Sequence, residues 1–429
     1  MIMRRSDALY KKLMNQTVIA ECFKPLLEAL TKCRFSNDRF LSLPMEMFCL
    51  LGCLRHLRGV ATLREHIQHF FHLAEEDQIP IPRSTYSDAL NSNTRATVLQ
   101  SAVDALVKIA GNKLPDRLAK LTDLGSRAVF AIDGSYQKES AHFNRVTPKN
   151  GGDDNHKGHM MLTLFDVRLG VPINVAIETK NVHETRVLAD RFDVAGGCLR
   201  ARNALFVVDR AFVNMPFWDK QKRRYRQTSI TRWKDNLNVV SAMPRENNKI
   251  AVNEGVVSDE CVTLNASAEP WRRITYKTPE SNTLVFLTNE LDLEPGIIAF
   301  LYLRRWDEEK CFDTWKNDFS SKKAWSKSHQ GIWQQALLAV MTSILLKMFC
   351  HNHQTQFGIT DDKCLKKQDA LAQKNAIDQG HRIPWYREIY RQTAKISRQL
   401  IRFLKECYMK NASQRLYERE LRPLFAKWL

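Results

Sequence analysis

Three carboxylates and one mixed-charge stripe carry the chemistry open to this sequence. Asp133 closes the apolar run Ala128-Val-Phe-Ala-Ile132 and is followed by Gly134-Ser135, and Asp209 closes Ala204-Leu-Phe-Val-Val208. Short apolar runs bounded in this way predict buried strands, each ending in an aspartate. The third acid, Glu309, lies in Phe300–Phe319, a stretch preceded by Pro295-Gly296 that predicts one helix of about five turns. On such a helix Tyr302, Arg305, Glu309 and Lys316 fall within about 60° of one another, so a phenol, a guanidinium, a carboxylate and an ammonium share one face. Glu308 points about 100° away from Glu309 and ranks second as the third carboxylate. Converging carboxylates repel and need cations between them. Carboxylate and water ligands favour hard divalent ions, Mg²⁺ or Mn²⁺. Two such ions about 3.5–4 Å apart can activate a water and stabilise the leaving oxygen of a phosphodiester. The bland alternatives are a turn at Asp133, a helix cap at Asp209 and a solvated salt-bridge face at the stripe.

The charge balance favours the first set of readings. The 429 residues carry 65 Lys and Arg against 47 Asp and Glu, a net charge of +18. A field of that sign and size selects a polyanion, and nucleic acid is the default partner. Hydrophobic residues at 44% and charged residues at 26% are those of a globular protein with a substantial core. The longest apolar run, Ala336–Cys350, is interrupted by Thr342, Ser343 and Lys347, so no membrane partner is expected. The basic N-terminus lacks the apolar stretch of a signal peptide, and a cytoplasmic location is expected. The ten cysteines include no C-x-x-C pair and no His at zinc-ligand spacing, and all are expected to be reduced thiols.

The elements that must position these groups follow in order. Residues 1–110 read as a helical domain. Within it a helix over Thr62–His72, a break at Ile79-Pro80-Ile81-Pro82 and a second helix opening at Arg83-Ser84-Thr85, with Ser84 as N-cap, outline a helix-turn-helix or an ordinary helical hairpin. His56, His66, His69 and His72 read as surface or core residues, not ligands. Residues 111–127 read as a linker. Residues 128–240 then alternate: a strand, a long loop over Gln137–His156, a hairpin of His159–Val167 and Val171–Glu178, a helix, the Asp209 strand, a helix from about Pro216, and a strand within Gln227–Val240. Residues 241–294 read as an inserted β-region. Residues 295–350 complete the core with the Glu309 helix and an apolar helix over Ile332–Cys350. Residues 351–429 read as a basic region, helical over Arg391–Trp428, that contacts DNA, dimerises or caps the fold. The basic run Lys220–Arg226, with Arg224 in it, offers a phosphate track.

The segments Ala131-Ile-Asp133-Gly-Ser135, Val207-Val-Asp209-Arg-Ala-Phe212 and Tyr302-x2-Arg305-x3-Glu309-x6-Lys316 together resemble bacterial insertion-sequence transposases of the DDE class, over about residues 128–319. The last spacing is the signature of one transposase group. The resemblance implies an α/β, RNase H-like mixed-sheet core with a β-strand insertion before the last catalytic helix, flanked by helical regions. It implies that Asp133, Asp209 and Glu309 hold catalytic Mg²⁺, with Mn²⁺ as a substitute. Tyr302, Arg305 and Lys316 would contact phosphates near the transposon end, with Arg210 and Arg224 as further DNA contacts. Relatives that cleave through a hairpin hold a flipped base on an aromatic of the insertion; Trp271, ahead of Arg272-Arg273, would play that part, with Trp233 as its rival. Ala211 stands where many relatives have Gly. The implied activity is cut-and-paste transposition by a DNA-bound homodimer acting on transposon ends and target DNA. A metal-dependent nuclease or resolvase that never joins strands, and a non-catalytic DNA-binding protein, are the alternatives.

Overall fold

The computed structural model describes residues 17–33, 42–58, 62–67, 81–138, 158–178, 187–188, 201–246, 248–305, 311–319, 323–356 and 362–387, together with Phe35, Phe40 and Gly358. The described residues build one mixed sheet of nine strands, in the order β3-β2-β1-β4-β5-β9-β8-β7-β6, with β3 and β4 buried on both faces. Its first half consists of β1 (Val129–Lys138), β2 (Gly158–Asp166), β3 (Val171–Glu178), β4 (Leu205–Val208) and β5 (Thr228–Arg232). β1, β4 and β5 are parallel to one another, and β1–β2–β3 form an antiparallel meander. The β2–β3 hairpin is the expected one. It turns at Gly170, whose φ of 69° suits glycine.

The β-region before the glutamate segment extends the core sheet. Its strands β6 (Val239–Pro244), β7 (Val256–Leu264), β8 (Trp271–Lys277) and β9 (Thr283–Thr288) extend the same sheet, because β9 pairs antiparallel with β5 through Ile230↔Thr288 to Arg232↔Phe286. Five strands of core and four of extension therefore share one continuous hydrogen-bonded layer.

Two cores cover the sheet's faces. On one lie the helices α1 (Thr17–Thr31), α2 (Met45–Arg58), α3 (Arg83–Leu90) and α4 (Asn93–Lys113), with α5 (Met215–Tyr225) and α7 (His329–Gln356). The apolar α7 packs on β3 and on all four N-terminal helices. By length and composition it is a candidate membrane span, but 83% of its most apolar window is buried inside the fold. The indole N–H of Trp333 donates to Val175 O of β3, and the Gln334 amide donates to Leu90 O and Ser92 O at the α3–α4 junction. The N-terminal helices thus share a core with the sheet. On the opposite face lies α6 (Pro295–Arg304), whose residues Ile297 to Tyr302 are buried against Val129, Ala131, Leu205, Val207 and Ile230.

Several expectations are corrected. The stretch 111–127 is not a free linker: Leu118, Leu121 and Leu124 are buried in the second core, and Asp116 pairs with Arg168. Helix α3 begins after Pro82 without a side-chain cap, so Ser84 lies inside it; Pro82 sets the entry because its missing N–H costs nothing there. The residues between 67 and 81, where a helix-turn-helix would turn, lie outside the described set. A helix α8 (Asp362–Gln379) occupies a polar segment with no strong apolar period, as a largely exposed helix can. The Arg391–Trp428 segment lies outside the described residues. Most important, Phe300–Phe319 is not one regular α-helix: α6 ends at Arg304, and Thr314–Asp318 is π-helical. A π-turn takes more residues per turn than the α-helical spacing assumed for Lys316, and residues 306–310 between it and Arg305 lie outside the described set.

Candidate active site

Strand parity decides where the aspartates face. Phe130 and Ile132 of β1 and Phe206 and Val208 of β4 belong to the first core, whereas Val129, Ala131, Leu205 and Val207 belong to the second. Continuing the alternation puts Asp133 and Asp209 on the second face, under α6. The two strands are paired up to Ile132↔Val208, so the aspartates follow the last paired residues of adjacent parallel strands, at about 5 Å strand spacing. In open α/β sheets ligands gather in the crevice where parallel pairing ends at the carboxyl side, and both aspartates lie one residue past the last β1–β4 pair.

Helix α6 delivers the other groups. Its N-terminus is pulled close to residues 251–253: the Gly296 N–H donates to Asn253 Oδ1 (3.1 Å), and a Cβ on Gly296 would lie 1.8 Å from Val252 O. Only glycine permits that approach. From there α6 crosses the sheet and brings Tyr302 and Arg305 to the aspartates. Arg305 donates from Nη1 to Asp133 Oδ2 at 2.7 Å, while Asp133 Oδ1 accepts the Gly134 N–H at 2.8 Å. The pair is largely shielded, with side-chain exposures of 9% and 18%. Arg305 also lies over the Tyr302 ring, 5.7 Å from its centroid. Burial pushes the Tyr302 phenol above its ordinary pKa. Asp209 adds to that shift, while Arg305 and Arg232 oppose it.

Asp209 occupies the N-cap position of the short 3-10 turn Arg210–Phe212, yet its side chain makes no capping bond. Its carboxylate therefore remains available for another partner. Ala211 adopts an ordinary backbone there. Arg210 is exposed immediately beyond it.

Arg232 is a residue the sequence reading passed over. It shares the parity of Ile230, which is buried in the second core, and follows the Val207↔Ile230 pair, so it continues the Asp133–Asp209 row onto a third strand. Its charge acts on Tyr302, and its buried Nε makes no hydrogen bond among the described residues. The signal was present as a cation two residues after Ile230, but a five-residue strand with no flanking turn motif hid it.

Of the expected site residues, Asp133, Asp209, Tyr302 and Arg305 come together. Glu309, with its rival Glu308, lies outside the described residues. Lys316 is exposed in the π-helical turn, its Nζ 5.9 Å from the Phe312 ring centroid. Arg224 sits elsewhere: α5 runs back along the sheet and ends where β5 begins, at the far end of β4 from Asp209. Trp271 is corrected. It is 1% exposed, and its indole N–H is shared between Ser267 Oγ (2.8 Å) and Asp219 Oδ1 (3.2 Å), so both ring faces are committed to the core and none is open to a base. Its rival Trp233 is half-buried beneath the Arg273 guanidinium.

Asp133 and Asp209 are oxygen donors suited to a hard divalent cation. Among the described residues no group of three or more His, Cys, Asp or Glu that could hold a metal ion gathers, and Glu309 lies outside them.

A mixed α/β sheet in which Asp133 and Asp209 follow the last β1–β4 pair on adjacent parallel strands, beneath a helix that brings Tyr302 and Arg305 to them, has the layout of an RNase H-like core. The chain belongs to the family described as the transposase DDE domain, which matches residues 125–345, just over half its length. No curated protein sequence matches it. Among solved structures it is similar to a piggyBac transposase in a synaptic complex with hairpin DNA, at 12% identity and a TM-score of 0.37, over 95% of this chain and 82% of that one.

Proposed function

We propose that this DDE transposase performs cut-and-paste transposition, nicking DNA at the ends of its element and joining the freed 3′ hydroxyl to a second strand. The observation that carries this reading is the convergence of Asp133, Asp209, Tyr302 and Arg305 on one sheet face. Asp133, Asp209 and Glu309 would hold Mg²⁺, with Mn²⁺ as substitute. When bound, such ions supply a nucleophilic water at neutral pH and neutralise charge on the displaced oxygen.

The chain's own residues do the positioning. The Arg305 guanidinium, now on Asp133, has the fork geometry to take phosphate oxygens, and the protonated Tyr302 phenol is a neutral donor beside it. Arg232 adds a cation at the same strand ends. Arg210 and Lys316, both exposed, contribute contacts to flanking phosphates. Exchange of one phosphodiester for another is near balanced in energy, so the reaction needs no nucleotide cofactor. Joining two ends calls for two active sites, hence a homodimer on DNA, acting on chromosomal DNA in the cytoplasm.

The test is nicking of labelled duplexes carrying the element's ends, with Mg²⁺ and with EDTA, for wild type and for Asp133→Asn, Asp209→Asn and Glu309→Gln. Metal-dependent nicking lost in all three variants supports the reading. Full activity in any one removes that residue from the set. Nicking without joining in a strand-transfer assay would leave a nuclease.

A further inference from the structure

Helix α5 carries the chain from the Asp209 end of the sheet back to the opposite end. With β4 rising about 3.3 Å per residue, the turn at Arg202-Asn203 lies roughly 16 Å or more from Asp209 along the strand. Two hydrogen bonds hold that turn against the end of α5: Asn203 N–H donates to Tyr225 O (2.9 Å), and the Gln227 amide donates to Ala201 O (2.9 Å). Five exposed cations gather there: Lys220, Arg223 and Arg224 on one face of α5, Arg226 at its left-handed C-cap with φ 55°, and Arg202 on the adjoining turn. None of the five forms an ion pair among the described residues, although Arg224 lies over the Tyr225 ring.

Two nearby acids among the described residues are already engaged. Glu290 pairs with Arg127 and accepts from Thr228, and the buried Asp219 accepts from Ser267, the Ala268 N–H and Trp271. A basic last turn offsets a helix's C-terminal dipole, which accounts for Arg223 and Arg224. It does not account for Arg202, which lies outside the helix, nor for Lys220, more than a turn before its end. Holding five like charges together costs repulsion, and a polyanion relieves it.

We infer that this patch is a second DNA-binding surface, separate from the catalytic crevice, that grips the phosphate backbone of duplex outside the cleavage position without reading sequence. The inference deepens the proposed function, since it takes duplex DNA as the ligand, but its readout is binding and not cleavage.

The experiment measures binding by fluorescence anisotropy from 50 to 200 mM salt. It uses a short duplex ending at the cleavage position and one extended by about two helical turns of flank. The proteins are wild type, the triple variant Arg202→Gln, Arg223→Gln, Arg224→Gln, and the same three positions changed to Lys; circular dichroism confirms folding. Lost phosphate contacts each remove about one unit from the slope of log affinity against log salt. The expected result is a slope shallower by about two to three units for the Gln variant on the long duplex, an unchanged slope on the short duplex, and recovery in the Lys variant. Equal slopes for wild type and Gln variant on the long duplex would overturn the inference. So would an equal loss on both duplexes, which would assign the patch to the crevice. If wild type never nicks but the length-dependent loss persists, the transposition reading fails and the second surface stands.

Discussion

The Arg305 guanidinium sits 2.7 Å from the Asp133 carboxylate, across 172 positions of sequence, and nine-tenths of its side chain is hidden from water. The pair joins the end of α6 to the middle of β1. It neutralises one acid of the crevice, so either a cation or Arg305 itself must balance Asp133 at any moment. Replacing Arg305 by Ala should lower nicking on the order of 10²–10³-fold, as for loss of one preorganised charged donor. Lys should recover only part, because one ammonium cannot reproduce a planar fork. Calorimetric titration with Mn²⁺ adds a readout independent of cleavage: with its competitor removed, the Ala variant should bind the ion more tightly than wild type in the absence of DNA. Unchanged affinity would mean that the pair does not compete.

Arg232 should behave as a member of the site. Arg232→Gln removes a cation from the third strand end while keeping a polar, though shorter, side chain. We expect a tenfold or larger loss in nicking, about 1.4 kcal/mol or more, with little change in melting temperature. A wild-type rate would return Arg232 to the role of a surface residue.

Trp271 should matter for folding and not for DNA. Trp271→Ala should destabilise by about 3–5 kcal/mol, as for other large-to-small changes in a packed core. Trp271→Phe keeps most of the volume but removes the donor to Ser267 and Asp219, and should cost less. Affinity of the Phe variant for end-bearing DNA should equal that of wild type. A selective loss of hairpin or flipped-base binding in the Phe variant would restore the discarded role.

Gly296 should be intolerant of any side chain. A Cβ there meets the Val252 carbonyl, a backbone atom that cannot swing away. Gly296→Ala should cost about 1–3 kcal/mol as an overpacked contact. It should also displace α6 and with it Tyr302 and Arg305, so nicking should fall further than stability alone accounts for. Chemical denaturation and single-turnover nicking on one preparation separate the two effects.

His56 sets an acid limit on stability. Burial lowers its pKa from 6.5 to about 3, with the Arg55 charge adding to the shift, and Nε2 donates to Gln335 O. The folded value is depressed, so the neutral ring's contribution is complete above pH 6.5 and is lost as pH falls toward 3. The full loss is on the order of 4–5 kcal/mol. His56→Gln keeps a donor for Gln335 and should lose less stability between pH 6.5 and pH 4 than wild type, read as melting temperature against pH. Parallel curves would assign the acid loss to other groups.

The local pattern of the chain determined much of this protein. Runs such as Ala128–Ile132 and Ala204–Val208 specify buried strands because their residues suit a two-sided layer; Asp209 follows the end of β4 as expected, whereas β1 continues past Asp133 to Lys138, with Ser135 and Gln137 still buried. The β2–β3 hairpin and the apolar α7 were legible for the same reason, since period and turn chemistry act over a few residues. The motif spacing around Tyr302 and Arg305 pointed to one site, and both residues lie in it.

The tertiary structure decided which groups share a space. Strand parity and the crossing of α6 bring Asp133, Asp209, Arg232, Tyr302 and Arg305 to one face, and no local period encodes a contact between residues more than 170 positions apart. The return of α5 carried Arg224 to the other end of the sheet, because a helix joining parallel strands must run antiparallel to them. Trp271 and the stretch 111–127 look free in sequence. Each is buried because a distant partner, Asp219 for one and the second core for the other, supplies the hydrogen bond or the apolar surface that makes burial favourable.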